Sequence, residues 1–164
     1  MTRREPEDPA YYFLIVTRLD TGDQRISPEV LLEERLKRGA WPLNRNTAHA
    51  RKMKPGDRAV FYVARKAQGY AAAQARIASS AWIPTTRELA KLQAPGDEFL
   101  GADYYIRLDE ISRSPMPVPA SELRRSLDLL AGAGSAWGAR LQGGAKRLST
   151  HDFELIRVAL QGPP

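Results

Sequence analysis

Strand-forming runs recur in three separated parts of this chain, with single helical patterns between them. Residues 11–17 form an aromatic and β-branched run, and residues 58–65 alternate between two faces. Residues 104–108 are again rich in strand formers, with an extension toward Ile111. The small-residue run at 70–77 suits either a helix or a strand, and we predict a strand because Gly69 before it suggests a hairpin. Strands this far apart must pair across the fold, which predicts one curled sheet.

Capping residues mark where the helices begin and end. Ser27, followed by a proline and an acidic residue, predicts a helix over residues 28–38 that ends at Gly39. Further helices are predicted around residues 85–89, over 121–130 with Ser121 as the cap, and after Ser149, where Phe153, Ile156 and Leu160 form the buried face.

The order of these elements places the chain in the α+β class. It predicts a mixed, mostly antiparallel sheet curled into a small barrel, with helices packed outside. Three alternating prolines within residues 114–119 predict a stiff connector, because proline suits neither a helix interior nor a central strand. With 164 residues there is room for one domain with a sizeable core, so we expect a single domain over 1–164 with its core at about 11–160.

Several classes of protein are disfavoured by residues that the sequence lacks. Without cysteine there is no disulfide framework, thiolate metal site or cysteine nucleophile, which fits an intracellular protein and predicts a cytoplasmic one. The longest apolar stretch, residues 11–16, is far shorter than the roughly 20 residues of a membrane span. Only His49 and His151 are available as imidazole ligands. We therefore expect no metal, no cofactor and no membrane partner.

Positive charge is concentrated inside the chain instead of at its ends. Residues 35–66 carry ten basic residues against the single acid Asp57, a net charge of +9, so the rest of the chain sums to −3 of the total +6. A basic block within a folded domain is typical of a surface that meets polyanions, and an ordinary solvated basic face is the alternative.

Catalytic arrangements are sparse in this sequence. No dinucleotide-binding, phosphate-loop or nucleophile-elbow motif is present. The acidic pairs 97–98 and 109–110 lack the nearby lysine of a metal-dependent nuclease. His49 lies among basic residues, which favours a phosphate-facing histidine, and His151 falls within a capping box. Binding is therefore favoured, and the alternative is a small-ligand or nucleotide-processing enzyme in which His49 acts with a carboxylate.

The tryptophans Trp41, Trp82 and Trp137 all fall outside the predicted helices and strands. Indoles on loops can form flat walls that hold a base by stacking, and indoles that plug the ends of a barrel are the alternative. Trp41 begins the segment 41–47, in which asparagine and threonine suit base edges and Arg45 suits phosphate. This grouping favours a base pocket and predicts that the indoles converge at one mouth of the barrel.

Ordered motifs along most of the chain point to a known family. They are Trp41, Asn46-Thr47, the segment MKPGDRAVFYV at residues 53–63, Gly69-Tyr70-Ala71, and WGARLQGGAKRL at residues 137–148 leading into residues 152–156. In this order, over about residues 11–160, the chain resembles the EVE domain family, and its later segment is similar to that of the archaeal-type members.

This resemblance implies a PUA-like pseudo-barrel related to the YTH domains, which bind N6-methyladenine in RNA. EVE domains are regarded as readers of modified bases in DNA or RNA, and in bacteria and archaea they occur in modification-dependent restriction systems. The resemblance therefore implies a non-catalytic module that takes a modified, flipped-out base into an aromatic pocket. A separately encoded nuclease is a further expected partner, for which the chain would be an interaction subunit.

Site residues follow from the matched motifs and from the basic block. The positions that resemble the family's base pocket are Trp41, Asn46, Thr47, Gly69, Tyr70, Trp82 and Trp137. The residues expected to attract phosphate are Arg45, Arg51, Lys52, Lys54 and Lys146.

Overall fold

The computed structural model describes residues 7–65, 68–141 and 144–162. Lys66 of the basic block, and the glutamine and glycine at positions 142 and 143 of the later segment, lie outside the described residues. Within the described ranges, none of the helices combines the length and the apolar character needed to cross a bilayer.

The strands in the described ranges are β1 (Tyr11–Val16), β2 (Leu19–Asp20), β3 (Arg25–Ile26), β4 (Ala40–Leu43), β5 (Arg58–Val63), β6 (Tyr70–Ile77), β7 (Tyr104–Pro119) and β8 (Ala145–Leu148). Six of them form one curled sheet in the order β4-β7-β6-β5-β1-β8, and a separate two-stranded hairpin joins β2 to β3. β1 and β5 are parallel and the other neighbouring pairs are antiparallel, so the predicted mixed, mostly antiparallel α+β sheet is confirmed.

Four α-helices lie in the part of the chain that the structure describes. They are α1 (Pro28–Arg38), α2 (Thr86–Leu92), α3 (Ala120–Ser126) and α4 (Thr150–Gln161). The α1 prediction is confirmed at both ends, because the Ser27 side chain accepts from the Val30 N–H and Gly39 takes the left-handed backbone conformation, φ 61°, that ends a helix. α4 also begins after Ser149 as predicted and buries Phe153, Ile156 and Leu160.

The sheet separates two hydrophobic clusters, because alternate residues of a strand point to opposite faces. Leu14 and Phe61 belong to the first cluster, which α1 covers with Leu31 and Leu36. Phe13 and Val60 belong to the second cluster, which contains apolar residues of α3 and α4. We call these the α1 face and the α4 face of the sheet.

The longest strand, β7, differs from the predicted short strand and proline connector. It continues through the three prolines to Pro119, where it still pairs with β6. β4 pairs with residues 104–107 of β7 and β6 pairs with residues 108–119, so the proline-rich part pairs on one side and tolerates missing N–H groups. The register with β6 shifts around Glu110, whose φ is +47°, and such a bulge bends the sheet.

Two further predictions are corrected by the structure. The helix predicted over 121–130 begins at Ala120 and ends at Ser126; a 3₁₀ turn at Asp128–Leu130 follows, because Asp152 accepts the backbone N–H groups of Asp128 and Leu129 at 2.8 and 2.9 Å. Trp41, predicted to lie on a loop, belongs to β4, where it pairs opposite Ile106. Trp82 forms an isolated bridge to Tyr105, and Trp137 lies in the 3₁₀ helix Gly134–Leu141.

A buried ion pair joins α1 to the turn after α2. The Arg35 guanidinium donates to both carboxylate oxygens of Asp97, Nε to Oδ2 at 3.0 Å and Nη2 to Oδ1 at 2.7 Å. The two side chains are 6% and 1% exposed, so each ion depends on the other for compensation. The bidentate geometry fixes both the distance and the orientation of the two segments.

We expect Asp97→Ala to lower the free energy of unfolding by about 3–5 kcal/mol, because it leaves the Arg35 charge buried without a partner. Urea denaturation followed by circular dichroism measures this change. Glu154→Ala, which breaks the exposed pair between Glu154 and Arg157 on α4, is the matched control and should leave the midpoint nearly unchanged. An equally small effect of Asp97→Ala would contradict a structural role for the buried pair.

Candidate nucleic-acid interface

A cavity of about 210 Å³ lies where the C-terminal end of β1 meets β4, on the α1 face. Apolar residues of β1, α1 and β4, among them Val16, Leu31 and Leu43, form much of its wall. This volume is below the roughly 300–1,000 Å³ of pockets for drug-sized ligands, so the cavity suits a group as small as one base.

Trp41 and Arg35 form the inner wall of this cavity. The Arg35 guanidinium carbon lies 4.7 Å from the centroid of the indole, and the ring of Phe61 lies 4.8 Å from it at a tilt of 40°. Only 2% of Trp41 is exposed. The indole therefore belongs to the core and contributes a wall, and it has no free face of the kind that a loop tryptophan would offer.

The rim of the cavity is polar and is built by two segments. Asn44 and Thr47 lie on the loop after β4, and Gly144 precedes β8. The Asn44 N–H donates to the Thr47 hydroxyl at 3.1 Å, and the Thr47 N–H donates to the Asn44 carbonyl at 2.9 Å. A Cβ added to Gly144 would lie 3.3 Å from the Thr47 methyl group, so the two segments touch at the rim.

Basic side chains gather next to this rim. The ring centroid of His49 lies 5.9 Å from that of the buried Tyr12, and the Arg147 guanidinium carbon lies 5.5 Å from the same Tyr12 ring. The charges of Lys52 and Lys146 also act on His49, and that of Lys54 acts on Tyr12. We define the basic cluster as Lys52, Lys54, Lys146 and Arg147.

The basic cluster is tied to the cavity through the chain itself. His49 follows the rim residue Thr47 by two positions, and Lys146 follows Gly144 by two positions. Two residues of extended chain span at most about 7 Å, so rim and cluster are close neighbours. A polymer lying on the cluster would therefore pass the mouth of the cavity.

The basic residues around His49 change its protonation. Burial lowers the pKa of the His49 imidazole, and the charges of Lys52, Arg147 and Lys146 lower it further. The imidazole is therefore neutral at pH 7, so one ring nitrogen can donate a hydrogen bond and the other can accept one. Its φ of +66° is uncommon for a residue with a side chain and marks the tight turn between the rim loop and the 3₁₀ turn at Ala50–Lys52.

The predicted phosphate-binding residues differ in whether they already contact other side chains of the protein. Arg45 is paired with Asp103 yet 71% exposed, and Arg51 donates to the Tyr104 hydroxyl at 2.8 Å. Lys54 lies 3.4 Å from the Asp57 carboxylate. Lys52 and Lys146 carry no ion pair within the described part of the chain.

Among the predicted base-pocket residues, Trp41 and Thr47 line the cavity, and Asn46 lies exposed on the rim loop between Thr47 and Asn44. Gly69 is not one of the residues that line the cavity. A Cβ at this position would meet the Tyr62 hydroxyl at 2.0 Å, so this glycine permits close packing there. Tyr70 lies beside the start of α1, where its hydroxyl donates to the Glu29 carboxylate at 3.2 Å. Burial and that carboxylate raise the pKa of Tyr70.

The three indoles are not brought together. Trp41 lies in the cluster on the α1 face, Trp137 in the cluster on the α4 face, and Trp82 in a small third cluster with Tyr105. Arginine side chains lie over the other two indoles, Arg107 at 5.0 Å from Trp82 and Arg124 at 5.6 Å from Trp137. The expectation of a mouth lined by several indoles is therefore replaced by a cavity to which one indole contributes.

Sequence reasoning missed four residues of the interface. They are Arg35 in the wall, Asn44 and Gly144 at the rim, and Arg147 in the basic cluster. Asn44 could have been predicted from the sequence, because it lies in the polar segment that begins at Trp41. The others had no local signal, since only the pairing of β8 with β1 carries residues 144–147 to this edge.

A separate cluster of acidic and imidazole groups lies at the start of α4. Ligand atoms of Asp128, His151 and Asp152 lie within 4.8 Å of one another, a spacing that a metal ion could bridge. The Asp152 carboxylate already accepts two backbone N–H groups of the 3₁₀ turn, and His151 Nδ1 lies 3.2 Å from one of its oxygens. These contacts join α4 to the preceding turn, a structural role.

Several solved structures have a similar architecture. The chain is similar to human THYN1 protein in complex with DNA containing 5-methylcytosine (TM-score 0.61, 15% identity, 94% of this chain and 99% of that one). It is also similar to Atu2648 from Agrobacterium tumefaciens, with a TM-score of 0.56 and 16% identity over 94% of this chain and 97% of that one. The YTH domain of Zygosaccharomyces rouxii MRB1 in complex with N6-methyladenosine RNA matches with a TM-score of 0.57 and 10% identity over 99% of this chain and 94% of that one.

At these identities the likenesses establish the fold, so the PUA-like, YTH-related architecture implied by the sequence motifs is confirmed. None of the curated proteins matches the chain. The model of the EVE domain family matches residues 12–158, which takes in the cavity, its rim and the basic cluster, and the chain therefore belongs to the EVE domain family.

Proposed function

We propose that this protein is a non-catalytic nucleic-acid-binding module that takes one modified base, most directly a methylated one, into the cavity on the α1 face. The observation that carries the proposal is the base-sized cavity whose polar rim adjoins the basic cluster. The complexes of similar proteins support it: THYN1 was crystallised with DNA containing 5-methylcytosine, and the MRB1 YTH domain was solved with N6-methyladenosine RNA.

Charge separates the two parts of the proposed interface. Both arginines that line the cavity in the described part of the chain are paired, the buried Arg35 with Asp97 and the half-exposed Arg18 with Asp20, so the inner cavity suits an uncharged group such as a base. The basic cluster lies outside it and suits the phosphates on either side of that base. Phosphate contacts position the polymer, and the cavity supplies the selectivity.

Base binding requires one nucleotide to leave its stack, at a cost of a few kcal/mol that falls when the strand is already single. An added methyl group buried against apolar walls contributes about 0.8 kcal/mol, close to a fourfold preference. Leu31 and Leu43 offer such walls. Trp41→Ala is a poor test of this step, because removing a buried aromatic side chain costs about 3–5 kcal/mol of folding stability.

The electrostatics of His49 favour binding over the alternative of a nucleotide-processing enzyme. A general base works with a partner that orients it and stabilises its positive charge. The charged groups that shift the His49 pKa in the described part of the chain are cations, which oppose protonation. A neutral imidazole beside lysines instead suits a hydrogen bond to phosphate.

Three finer expectations belong to this proposal. The segment 137–148 suggests an archaeal-type member of the family that forms a single domain over 1–164, with its core at about 11–160. Within a modification-dependent restriction system, the protein would deliver a separately encoded nuclease to modified nucleic acid in the cytoplasm. Co-purification of a second chain with the tagged protein from its native host tests this pairing.

Filling the rim should remove the preference for a methylated base. We expect wild type to bind a single strand carrying one 5-methylcytosine (DNA) or one N6-methyladenosine (RNA) at least fourfold more tightly than the unmodified strand. In Gly144→Leu the ratio should fall to about 1, with affinity for the unmodified strand within about twofold of wild type, because the new side chain would occupy the rim beside Thr47 and leave the basic cluster intact. Fluorescence polarisation measures both ratios.

The same titrations contain the result that contradicts the proposal. Equal binding of modified and unmodified strands by wild type, in both polymers, would remove the assignment of the cavity as a base pocket. So would a methyl preference in Gly144→Leu that equals the wild-type preference.

Neutralising the basic cluster should weaken binding to every sequence alike. For Lys146→Gln combined with Arg147→Gln, we expect the slope of log K against log salt to become shallower by roughly 1.4 on single strands, about 0.7 for each lost phosphate contact. Arg125→Gln, an exposed arginine on α3, is the matched control and should leave the slope unchanged. Equal slopes for the double variant and the control would contradict phosphate binding by the cluster.

A further inference from the structure

One residue that lines the cavity has a buried hydrogen-bond acceptor without a partner in the described ranges. Three buried side-chain oxygens in the described part of the chain lack one: Glu29 Oε2, Asn44 Oδ1 and the Tyr105 hydroxyl. Of these residues, Asn44 lines the cavity. A buried acceptor without a donor destabilises the protein, so a ligand that donates to it gains more than it would from an acceptor already in contact with water.

The backbone around Asn44 is held on both sides, so its side chain starts from a fixed point. The Thr47 turn described above ties the N–H and the carbonyl of Asn44 to the rim loop. On the flanks, the Leu43 carbonyl accepts from the Asp103 N–H at 3.1 Å, and the Asp103 carboxylate accepts from the Arg45 N–H at 2.7 Å. A rim held in this way recognises hydrogen-bonding groups at small entropic cost.

Thr47 supplies the complementary group. Its hydroxyl oxygen already accepts from the Asn44 N–H, and its own hydrogen donates to no acceptor within the described ranges. The rim therefore offers a fixed acceptor and a free donor next to each other. Cytosine and adenine present the matching edge, an amino N–H beside an unprotonated ring nitrogen, whereas thymine and uracil place a carbonyl where cytosine has its amino group.

On the basis of the proposed function, we propose that Asn44 is the residue that selects the class of base, by accepting a hydrogen bond from an exocyclic amino group through Oδ1. The cavity then takes amino bases, methylated cytosine or adenine, and rejects bases of equal size with oxygen at that position. In a rejected base two acceptors face each other at the buried rim, and neither is satisfied. The methyl group adds affinity because it is buried in the cavity, and Asn44 determines which methylated bases the cavity accepts.

Two ligand pairs isolate this hydrogen bond, because the members of each pair have nearly the same shape. In single-stranded DNA, 5-methylcytosine and thymine carry the same methyl group and differ in an amino group against a carbonyl. In single-stranded RNA, N6-methyladenosine and 6-methoxypurine riboside differ in N–H against oxygen. We expect wild type to favour the amino member of the pair by at least tenfold in the polymer that it prefers, measured by fluorescence polarisation.

Variants assign the selectivity to Asn44. In Asn44→Leu, which replaces the amide by an apolar group of similar size, the ratio within the pair should fall below about twofold, while the preference for the methylated over the unmethylated base persists. Gln24→Ala removes an exposed amide from the turn between β2 and β3 and should keep the tenfold ratio. Circular dichroism melting curves confirm that both variants are folded, and the wild-type comparison stands without either of them.

Failure of this inference differs from failure of the proposed function. Equal binding of the two members of a pair, or a preference for the carbonyl member, overturns the role of Asn44 even when methylated bases are still preferred. A tenfold ratio that survives in Asn44→Leu also overturns it. Loss of all preference for methylated bases in wild type overturns the proposed function and this inference together.

Discussion

The buried ion pair between Arg35 and Asp97 is the interaction on which the arrangement of the candidate site depends. It joins α1 to the turn after α2, and its guanidinium also lies against the indole of Trp41 in β4. Three segments distant in sequence thus meet at one wall of the cavity. Because the charges of the pair compensate each other, this wall of the cavity is polar without a net charge. That property distinguishes a site for a base from a site for phosphate.

The two faces of the sheet have different tasks as a consequence. The α4 face is filled by an apolar cluster with Trp137 at its margin, and it supports the sheet from behind. The α1 face carries the cavity at the end of β1, where the parallel β5 and the antiparallel β8 flank that strand. β8 brings Arg147 to this edge on the α1 face, opposite Tyr12, and Lys146 opposite Phe13, where its charge still acts on His49. One strand pairing therefore places basic residues beside the cavity, and recognition of the polymer and of its base can occur together.

The sequence predicted local structure well and tertiary placement poorly, for physical reasons. The cap at Ser27 and the left-handed Gly39 act within a few residues, so the bounds of α1 could be predicted correctly. β4 contains Trp41 and Pro42 and is stabilised by pairing with β7, more than 60 residues away. Its four residues therefore do not predict a strand by themselves.

Placement of the site shows the same limit. Trp41, Thr47 and the basic residues were predicted as parts of one interface because they share one segment. Convergence of Trp82 and Trp137 with Trp41 depended on how the sheet curls, and each of those two indoles packs into its own cluster under an arginine. Asn44 entered the site through its missing hydrogen-bond partner, a property that exists only in the folded chain.

The three tryptophans, one in each cluster, allow the most direct test of where a base binds. In ¹⁵N–¹H spectra of the protein, each indole N–H gives its own signal, which Trp82→Phe and Trp137→Phe variants would assign. On titration with the modified strand that the protein prefers, we expect the Trp41 indole and the backbone amides of Thr47 and Gly144 to shift, while the Trp82 and Trp137 indoles do not. Shifts at Trp82 or Trp137, with Trp41, Thr47 and Gly144 unchanged, would contradict binding in the cavity.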